Sequence, residues 1–151
     1  MEPRLDVSTV APDGYDGLLR VEKFLRRSGL DSTILELVKL RASQINGCGY
    51  CVEMHAQAAA AAGESPERLF AVAAWRHTRH FTDAERAALE LTDAATRLAD
   101  STDPVPGEVW RRASDHFDDQ QLGALVMAIA VINAWNRIAV ITQQVAGSHR
   151  G

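Results

Sequence analysis

The chain has 151 residues, of which 46 % are hydrophobic and 24 % are charged, and its formal net charge is −4. This length and composition fit a single globular domain with its own core, and they exclude a largely disordered chain. The negative balance excludes the extended basic surface of a nucleic-acid-binding protein. The first residues lack the apolar segment of a signal peptide, so we expect a cytoplasmic protein.

Helical signals recur along the whole chain. No window has the sustained two-residue alternation or the dense β-branched runs of a sheet protein, so we predict an all-α fold. A loop through Pro3, Pro12 and Gly14 is expected first. An amphipathic helix from about Asp16 to Arg27 should follow it.

Capping residues and glycines predict where the later helices begin and end. The tail after Ala146 is expected to be disordered. The later helices are predicted from Asp31 or Ser32 to Asn46, from about Cys48 to Ala62, from Ser65 to about His77, from Thr82 to about Ala99, around Trp110, and from Asp118 to about Gln144.

The longest apolar run extends from Leu122 to Trp135 and is interrupted by Gly123 and Asn133. A helix that spans a bilayer needs about 20 predominantly apolar residues, and this run is shorter. We therefore predict a buried or interface helix and no membrane association.

The two cysteines of the chain stand close together, at Cys48 and Cys51, and His55 follows four residues after the second. If a helix begins near Cys48, the three side chains lie on one face of it. A cytoplasmic pair with this spacing is seldom a structural disulfide, so the pair is interpreted as reactive or metal-binding. The stretch is the candidate site for redox chemistry.

The position of the pair at a helix start predicts reactive thiols. Unpaired backbone N–H groups and the helix dipole favour the thiolate there. His55 is one turn from Cys51, so we predict that Cys51 attacks the substrate and that Cys48 resolves the oxidised sulfur by forming a disulfide. An external reductant is then expected to attack Cys48, predicted as the more exposed sulfur.

Two other interpretations of the pair remain open. With His55 it could bind zinc, although a closed zinc site needs four ligands and no second pair has matching spacing. Both cysteines could also be inert core residues. A thioredoxin fold is not indicated, because the residues before Cys48 predict a helix where that fold has a strand.

Glu36 adds a spacing pattern to this stretch. Eleven residues separate Glu36 from Cys48, two separate Cys48 from Cys51, and three separate Cys51 from His55. This pattern resembles the core motif of the AhpD-like alkylhydroperoxidases in the carboxymuconolactone decarboxylase superfamily. The resemblance covers about residues 15 to 144 and extends to the flanking segments 37–41, 43–48, 74–76, 81–87 and 133–137.

The resemblance implies one compact AhpD-like domain over residues 1–151, with a short flexible loop and tail at its ends, assembled as a homo-oligomer, either a trimer or a hexamer. It implies that Glu36, Cys48, Cys51 and His55 form a redox centre with a proton relay. The implied activity is a thiol-dependent peroxidase or disulfide oxidoreductase. Its substrates would be an organic hydroperoxide or hydrogen peroxide, and a dithiol protein or lipoyl group would be the reductant, with no metal, haem or flavin.

The sequence also leaves functional alternatives. Some characterised family members have a second histidine just before the later cysteine, and this chain has Tyr50 there. A pair without meaningful turnover would serve as a redox sensor or an interaction module. Lactone decarboxylation is disfavoured, because the family's true decarboxylases generally lack the cysteine pair.

Overall fold

A computed structural model describes residues 2–148 of the chain and confirms the all-α prediction, since these residues form helices and loops without strands. Two 3-10 segments, Val72–His77 and Leu98–Asp100, lie between the longer elements. The α-helices of the described part are α1 Val7–Val10, α2 Pro12–Arg27, α3 Ser32–Asn46, α4 Gly49–Ala61, α5 Pro66–Ala71, α6 Asp83–Thr96, α7 Gly107–Ser114 and α8 Asp119–Thr142.

The start of the chain is more helical than predicted. Helix α2 begins at Pro12 and not at Asp16, because proline in the first helical turn lacks only an N–H that would have no helical partner. The short helix α1 precedes it, and the Asp6 side chain accepts a hydrogen bond from Ser8 N at 3.0 Å to cap α1. The predicted loop is therefore confined to the residues before α1. Most of the predicted disordered tail lies outside the described residues.

Two predicted helix ends also differ from the structure. The helix expected to reach His77 continues from α5 as a 3-10 segment, in which Ala74 has non-helical torsions (φ −122°, ψ 33°). Helix α6 starts with Thr82 as its N-cap, as predicted, and has a capping box in which Thr82 and Glu85 bond to each other's backbone N–H. It ends at Thr96 and not at about Ala99, and a short 3-10 segment follows.

Helix α3 is the central element of the core and packs against α4, α6 and α8. It is buried almost continuously from Ile34 to Ser43, as expected for a helix that is surrounded by other helices. Helix α4 packs along one side of α3, and α8 packs against both helices. The two cysteines lie where these three helices meet.

A buried carboxylate fastens the 3-10 segment to this core. Asp93 Oδ1 accepts a hydrogen bond from Arg41 Nε at 2.6 Å, and Asp93 Oδ2 accepts one from Trp75 Nε1 at 3.2 Å. Arg76 also pairs with Asp93. Burial raises the pKa of Asp93, but the hydrogen bonds from the two arginines outweigh it and lower the pKa below 3.8. Asp93 is therefore ionised, and its carboxylate holds α3, α6 and the 3-10 segment together.

Helix α8 carries the apolar run noted in the sequence. By length and composition its 24 residues could cross a membrane, with a mean hydropathy of 1.8 in the most apolar window. This is weak evidence, because core helices pass the same test. Here α8 packs against α2, α3 and α6, and ten of its residues are buried.

Candidate redox site

The turn between α3 and α4 determines where the cysteines lie. Gly47 adopts a left-handed conformation (φ 67°) directly after α3. Gly47 N donates to Gln44 O and Cys48 N donates to Ser43 O at 3.0 Å, the Schellman arrangement that ends a helix. Only Gly47 and Cys48 separate the two helices. The backbone N–H of Cys48 pairs with the last turn of α3, and Cys48 is also the residue directly before α4.

Cys48 is the N-cap of α4. Its Sγ accepts a hydrogen bond from Cys51 N at 3.3 Å. The sulfur thereby pairs one of the backbone N–H groups that have no helical partner at the helix start. Both thiols are free, and each cysteine is only 2 % exposed. They pack with Ala42 of α3 and with Ile132 and Ala139 of α8. The prediction that Cys48 is the more exposed sulfur is therefore wrong.

The electrostatics of the pair favour charge on Cys48. A hydrogen bond from the Cys51 side chain is the main influence that lowers the pKa of Cys48 to about 7; burial opposes it, and Cys51 N–H and Asn136 assist. The pKa of Cys51 is raised, first by its hydrogen bond to Cys48 and then by burial. The expectation that the helix start makes the thiols acidic therefore holds for Cys48 and is wrong for Cys51, because Cys51 is the donor in the hydrogen bond between the two sulfurs and is buried.

Glu36 and His55 meet across the two helices. Glu36 Oε2 of α3 lies 2.9 Å from His55 Nδ1 of α4, with the imidazole side chain 9 % exposed and the carboxylate 25 % exposed. The contact is direct. A carboxylate on Nδ1 holds a proton there and leaves Nε2 as the basic nitrogen. His55 is thereby oriented as a proton acceptor on the helix that carries Cys51.

A cavity of about 310 Å³ connects these groups. Cys51, His55 and Glu36 all line it, and Cys48 does not. Much of the remaining wall is aromatic or aliphatic and comes from α2, α4 and α8. These apolar lining residues are Tyr15, Leu19, Tyr50, Met54, Trp135 and Ile138.

Charged groups in the cavity wall are largely paired with each other. Glu22 accepts a hydrogen bond from Trp135 Nε1 at 3.1 Å and forms an ion pair with Lys39. The Tyr15 and Trp135 rings meet edge to face, with 4.9 Å between their centroids. These contacts join α2 to α8 and give the cavity a firm wall.

The four residues selected from the sequence thus come together, with Cys51, His55 and Glu36 on the cavity and Cys48 beneath it. The sequence interpretation missed Asn136 of α8, whose side chain acts to lower the pKa of both thiols. It also missed Glu22 and Tyr15 of α2. The available signal for Asn136 was a polar residue directly after the apolar run, on the same helical face as Ile132.

Two other features bear on the site's chemistry. Within residues 2–148, no group of three or more histidine, cysteine or acidic side chains is arranged to hold a metal ion. A larger, mostly apolar cleft of about 870 Å³ lies between α6, α7 and α8, and it contains none of the four selected residues. The smaller cavity is therefore the candidate active site, because size alone does not supply reactive groups.

The fold and site define an AhpD-like helical protein of a peroxidase-type family. Residues 12–94 match the carboxymuconolactone decarboxylase family, so the chain belongs to that family. It is 36 % identical over 140 residues to the uncharacterized protein YdfG of Bacillus subtilis, with 93 % of this chain and 94 % of YdfG covered. It is 37 % identical over 109 residues to the uncharacterized protein YnjA of Escherichia coli, covering 72 % of this chain and 58 % of YnjA.

Solved structures support the same assignment. Protein ATU0492 of Agrobacterium tumefaciens, of unknown function and provisionally named antioxidant defence protein AhpD, matches with a TM-score of 0.90 and 32 % identity over 96 % of this chain and 98 % of that chain. The debrominase Bmp8 matches with a TM-score of 0.81 but only 16 % identity, and the match covers 91 % of this chain and 73 % of the Bmp8 chain. That second likeness shows the fold alone.

Proposed function

We propose that this protein reduces hydroperoxides with the Cys48 and Cys51 pair and is restored by an external dithiol. The observation that carries the proposal is the arrangement of Cys51, His55 and Glu36 around one cavity, with the Cys48 sulfur directly behind Cys51. This arrangement supports a site in which Cys51 is the nucleophile, His55 the base and Cys48 the resolving thiol.

In the first step, Cys51 attacks the terminal oxygen of the hydroperoxide. The S–O bond forms as the O–O bond breaks, so the sulfur is oxidised to a sulfenic acid and the substrate is reduced to an alcohol. His55 Nε2 takes the thiol proton and delivers it to the leaving alkoxide, while Glu36 stabilises the transient imidazolium. Negative charge stays on Cys48, where the next step requires it.

In the second step, the Cys48 thiolate attacks the Cys51 sulfenic acid. A disulfide forms and hydroxide leaves, taking up a proton to become water. A dithiol such as a lipoyl group then supplies two electrons and two protons and becomes a disulfide itself. Because Cys51 lines the cavity, the dithiol attacks Cys51 and not Cys48. The reaction needs no bound metal, haem or flavin.

The cavity wall favours organic hydroperoxides over hydrogen peroxide. A small polar peroxide buries almost no apolar surface against these aromatic and aliphatic side chains. The carbon skeleton of a larger peroxide does bury such surface there, which adds to its binding free energy. Cumene hydroperoxide and tert-butyl hydroperoxide are suitable probes. We expect a higher kcat/KM for cumene hydroperoxide than for hydrogen peroxide.

Steady-state turnover tests the proposal. Peroxide consumption is measured with dihydrolipoamide as reductant, for wild type and for Cys51→Ser and Cys48→Ser. We expect sustained turnover in wild type alone, and a single oxidation of Cys51 in the Cys48 variant, detected as a sulfenic acid adduct. Equal and slow consumption by wild type and Cys51→Ser contradicts the peroxidase assignment.

A redox sensor is the second candidate. The observation in its favour is the burial of both sulfurs, each in a residue 2 % exposed, which restricts access by a protein reductant. A sensor would form the Cys48–Cys51 disulfide with peroxide but would not turn over with any dithiol. The turnover assay separates the two functions, because only the peroxidase consumes peroxide in excess of protein.

We further propose a cytoplasmic homo-oligomer, either a trimer or a hexamer. Apolar side chains are exposed on α8, at Val126, Met127, Val140 and Ile141, and Trp110 is exposed beside the larger cleft. Association would remove this surface from water. Light scattering with Val126→Glu as the variant measures it: we expect the variant to dissociate, and a monomeric wild type contradicts the proposal.

A further inference from the structure

Asn136 is a buried polar residue at the back of the thiol pair. It is 1 % exposed and lies on α8 between Ile132 and Ala139, both of which pack against Cys48 and Cys51. Residues at this spacing share one face of a helix. The amide of Asn136 therefore lies on the face of α8 that packs against the two cysteines.

Hydrogen bonds on both sides orient this amide. Asn136 Oδ1 accepts from Asn46 Nδ2 at 2.9 Å, and Asn136 Nδ2 donates to Ser43 Oγ at 3.0 Å. The Ser43 hydroxyl is itself a donor to Lys39 O at 2.7 Å, so its oxygen is left to accept from Asn136. These bonds fix the orientation of the amide, with its oxygen toward Asn46 and its nitrogen toward Ser43.

One N–H of this nitrogen remains for the thiol pair. An asparagine side chain carries two N–H donors, and Ser43 accepts only one. The Asn136 side chain acts to lower the pKa of both thiols, although other contacts keep the pKa of Cys51 raised overall. A donor shared by two sulfurs stabilises their charged forms and not their neutral forms.

We propose that Asn136 is a working residue of the redox site, in which α8 supplies one amide donor that stabilises negative charge on whichever sulfur of the pair holds it. The proposed peroxidase cycle requires such a donor, because charge develops on Cys51 during attack and resides on Cys48 for disulfide formation. The role that we assign to Asn136 rests on the proposed peroxidase cycle. The structural argument for it, the buried and oriented amide, does not depend on that cycle.

Thiol alkylation by iodoacetamide tests the inference without any peroxide. Asn136→Ala removes the donor, and Asn136→Asp keeps the shape and the acceptor for Asn46 but replaces the donor with a carboxylate. We expect the apparent pKa for Cys48 alkylation to rise by about one unit in both, which lowers the rate at pH 6.5 by roughly eightfold. Peptide mass spectrometry assigns the modified cysteine.

Asn133→Ala is the matched control. Asn133 Oδ1 also accepts from Asn46 Nδ2 at 2.9 Å, but its own amide nitrogen donates to Thr96 Oγ1 and Ile129 O and not to sulfur. We expect it to reduce stability without moving the alkylation pKa. A shift as large as that of Asn136→Ala would mean general loosening of the network, and would overturn the inference.

A measurement on wild type covers the case in which the Asn136 variants do not fold. The side-chain NH₂ resonances of Asn136 in a ¹⁵N-resolved NMR spectrum should titrate with the same apparent pKa as Cys48 alkylation. Signals that stay constant through that titration overturn the inference. So does an unchanged alkylation pKa in folded variants. Either result leaves the peroxidase proposal standing, because turnover is measured separately.

Discussion

Glu36 and His55 are 19 positions apart in the chain, and their side chains meet at 2.9 Å because α3 and α4 pack side by side. Glu36→Gln keeps a polar partner for His55 but removes the charge that stabilises an imidazolium. We expect peroxide turnover to fall by about 100-fold, with thiol alkylation unchanged. Steady-state kinetics and alkylation rates on the same samples measure both.

Glu90→Gln is the matched control for that prediction. Glu90 also pairs with a cation, since its Oε2 lies 2.6 Å from Arg112 Nε, but it lines no part of the redox cavity. Turnover should stay within twofold of wild type, roughly the scatter of such measurements. If Glu36→Gln loses no more activity than Glu90→Gln, the proton relay is not operating.

The acidity of Cys48 should depend on the donor at position 51. Cys51→Ala removes the side-chain donor that lowers the pKa of Cys48, whereas Cys51→Ser replaces it with a hydroxyl donor. Because the thiolate is the reactive form, alkylation of Cys48 should rise as pH increases through about 7 in wild type and Cys51→Ser. In Cys51→Ala the rise should occur at higher pH. Coincident curves for the two variants would contradict the assigned hydrogen bond.

The left-handed turn at Gly47 should be intolerant of a side chain. A Cβ at Gly47 would meet no atom within 4 Å, so the cost of Gly47→Ala is conformational alone, about 1 to 2 kcal/mol of unfolding free energy. Gly49→Ala is the matched control two residues later, where φ is not positive and space is also open. We expect it to be neutral or stabilising in urea unfolding. Equal losses would show that the turn is not strained by alanine.

The buried carboxylate of Asp93 should be a large determinant of stability. Asp93→Asn leaves the Arg41 charge without its counter-ion, which costs about 3 to 5 kcal/mol. The lowered pKa means that Asp93 contributes its stability above pH 3.8 and loses it as pH falls through the folded-state pKa. The difference between variant and wild type in urea unfolding should therefore shrink in acid.

Asp115→Asn provides the comparison for that carboxylate. Asp115 pairs with Arg111 at 2.9 Å, but the two side chains are 55 % and 65 % exposed. Solvent screens such a pair, so we expect a loss of at most about 0.5 kcal/mol. A loss at Asp93 as small as this would mean that the buried charges are solvated.

The width of the cavity should decide which peroxide is preferred. Ile138→Trp fills space beside Cys51, and we expect kcat/KM for cumene hydroperoxide to fall by about tenfold while the value for hydrogen peroxide changes less. Ile141→Trp is the control on the same helix, because Ile141 is 65 % exposed and outside the cavity. Parallel losses for both peroxides would indicate damage to the thiols and not to the binding space.

Local signals in the sequence predicted the helices whose ends are capped by their own residues. The helix start at Thr82 and the helix end at Asn46 were both expected, and a capping box and a left-handed Gly47 form them. The start of α2 was missed because Pro12 was interpreted as part of a loop, although proline is compatible with the first turn of a helix. The break at Ala74 had no local signal, since the segment around it is fixed by contacts to Asp93.

The sequence by itself determined which chemical groups the site contains, because the spacing of Glu36, Cys48, Cys51 and His55 is a property of the chain. Tertiary structure decided how those groups are arranged. It made Cys48 the capping sulfur with the lowered pKa, placed Cys51 on the cavity, and put Asn136 on the face of α8 that packs against the two cysteines. The acidity of a thiol depends on the donors and burial that distant elements supply, and no local spacing specifies them.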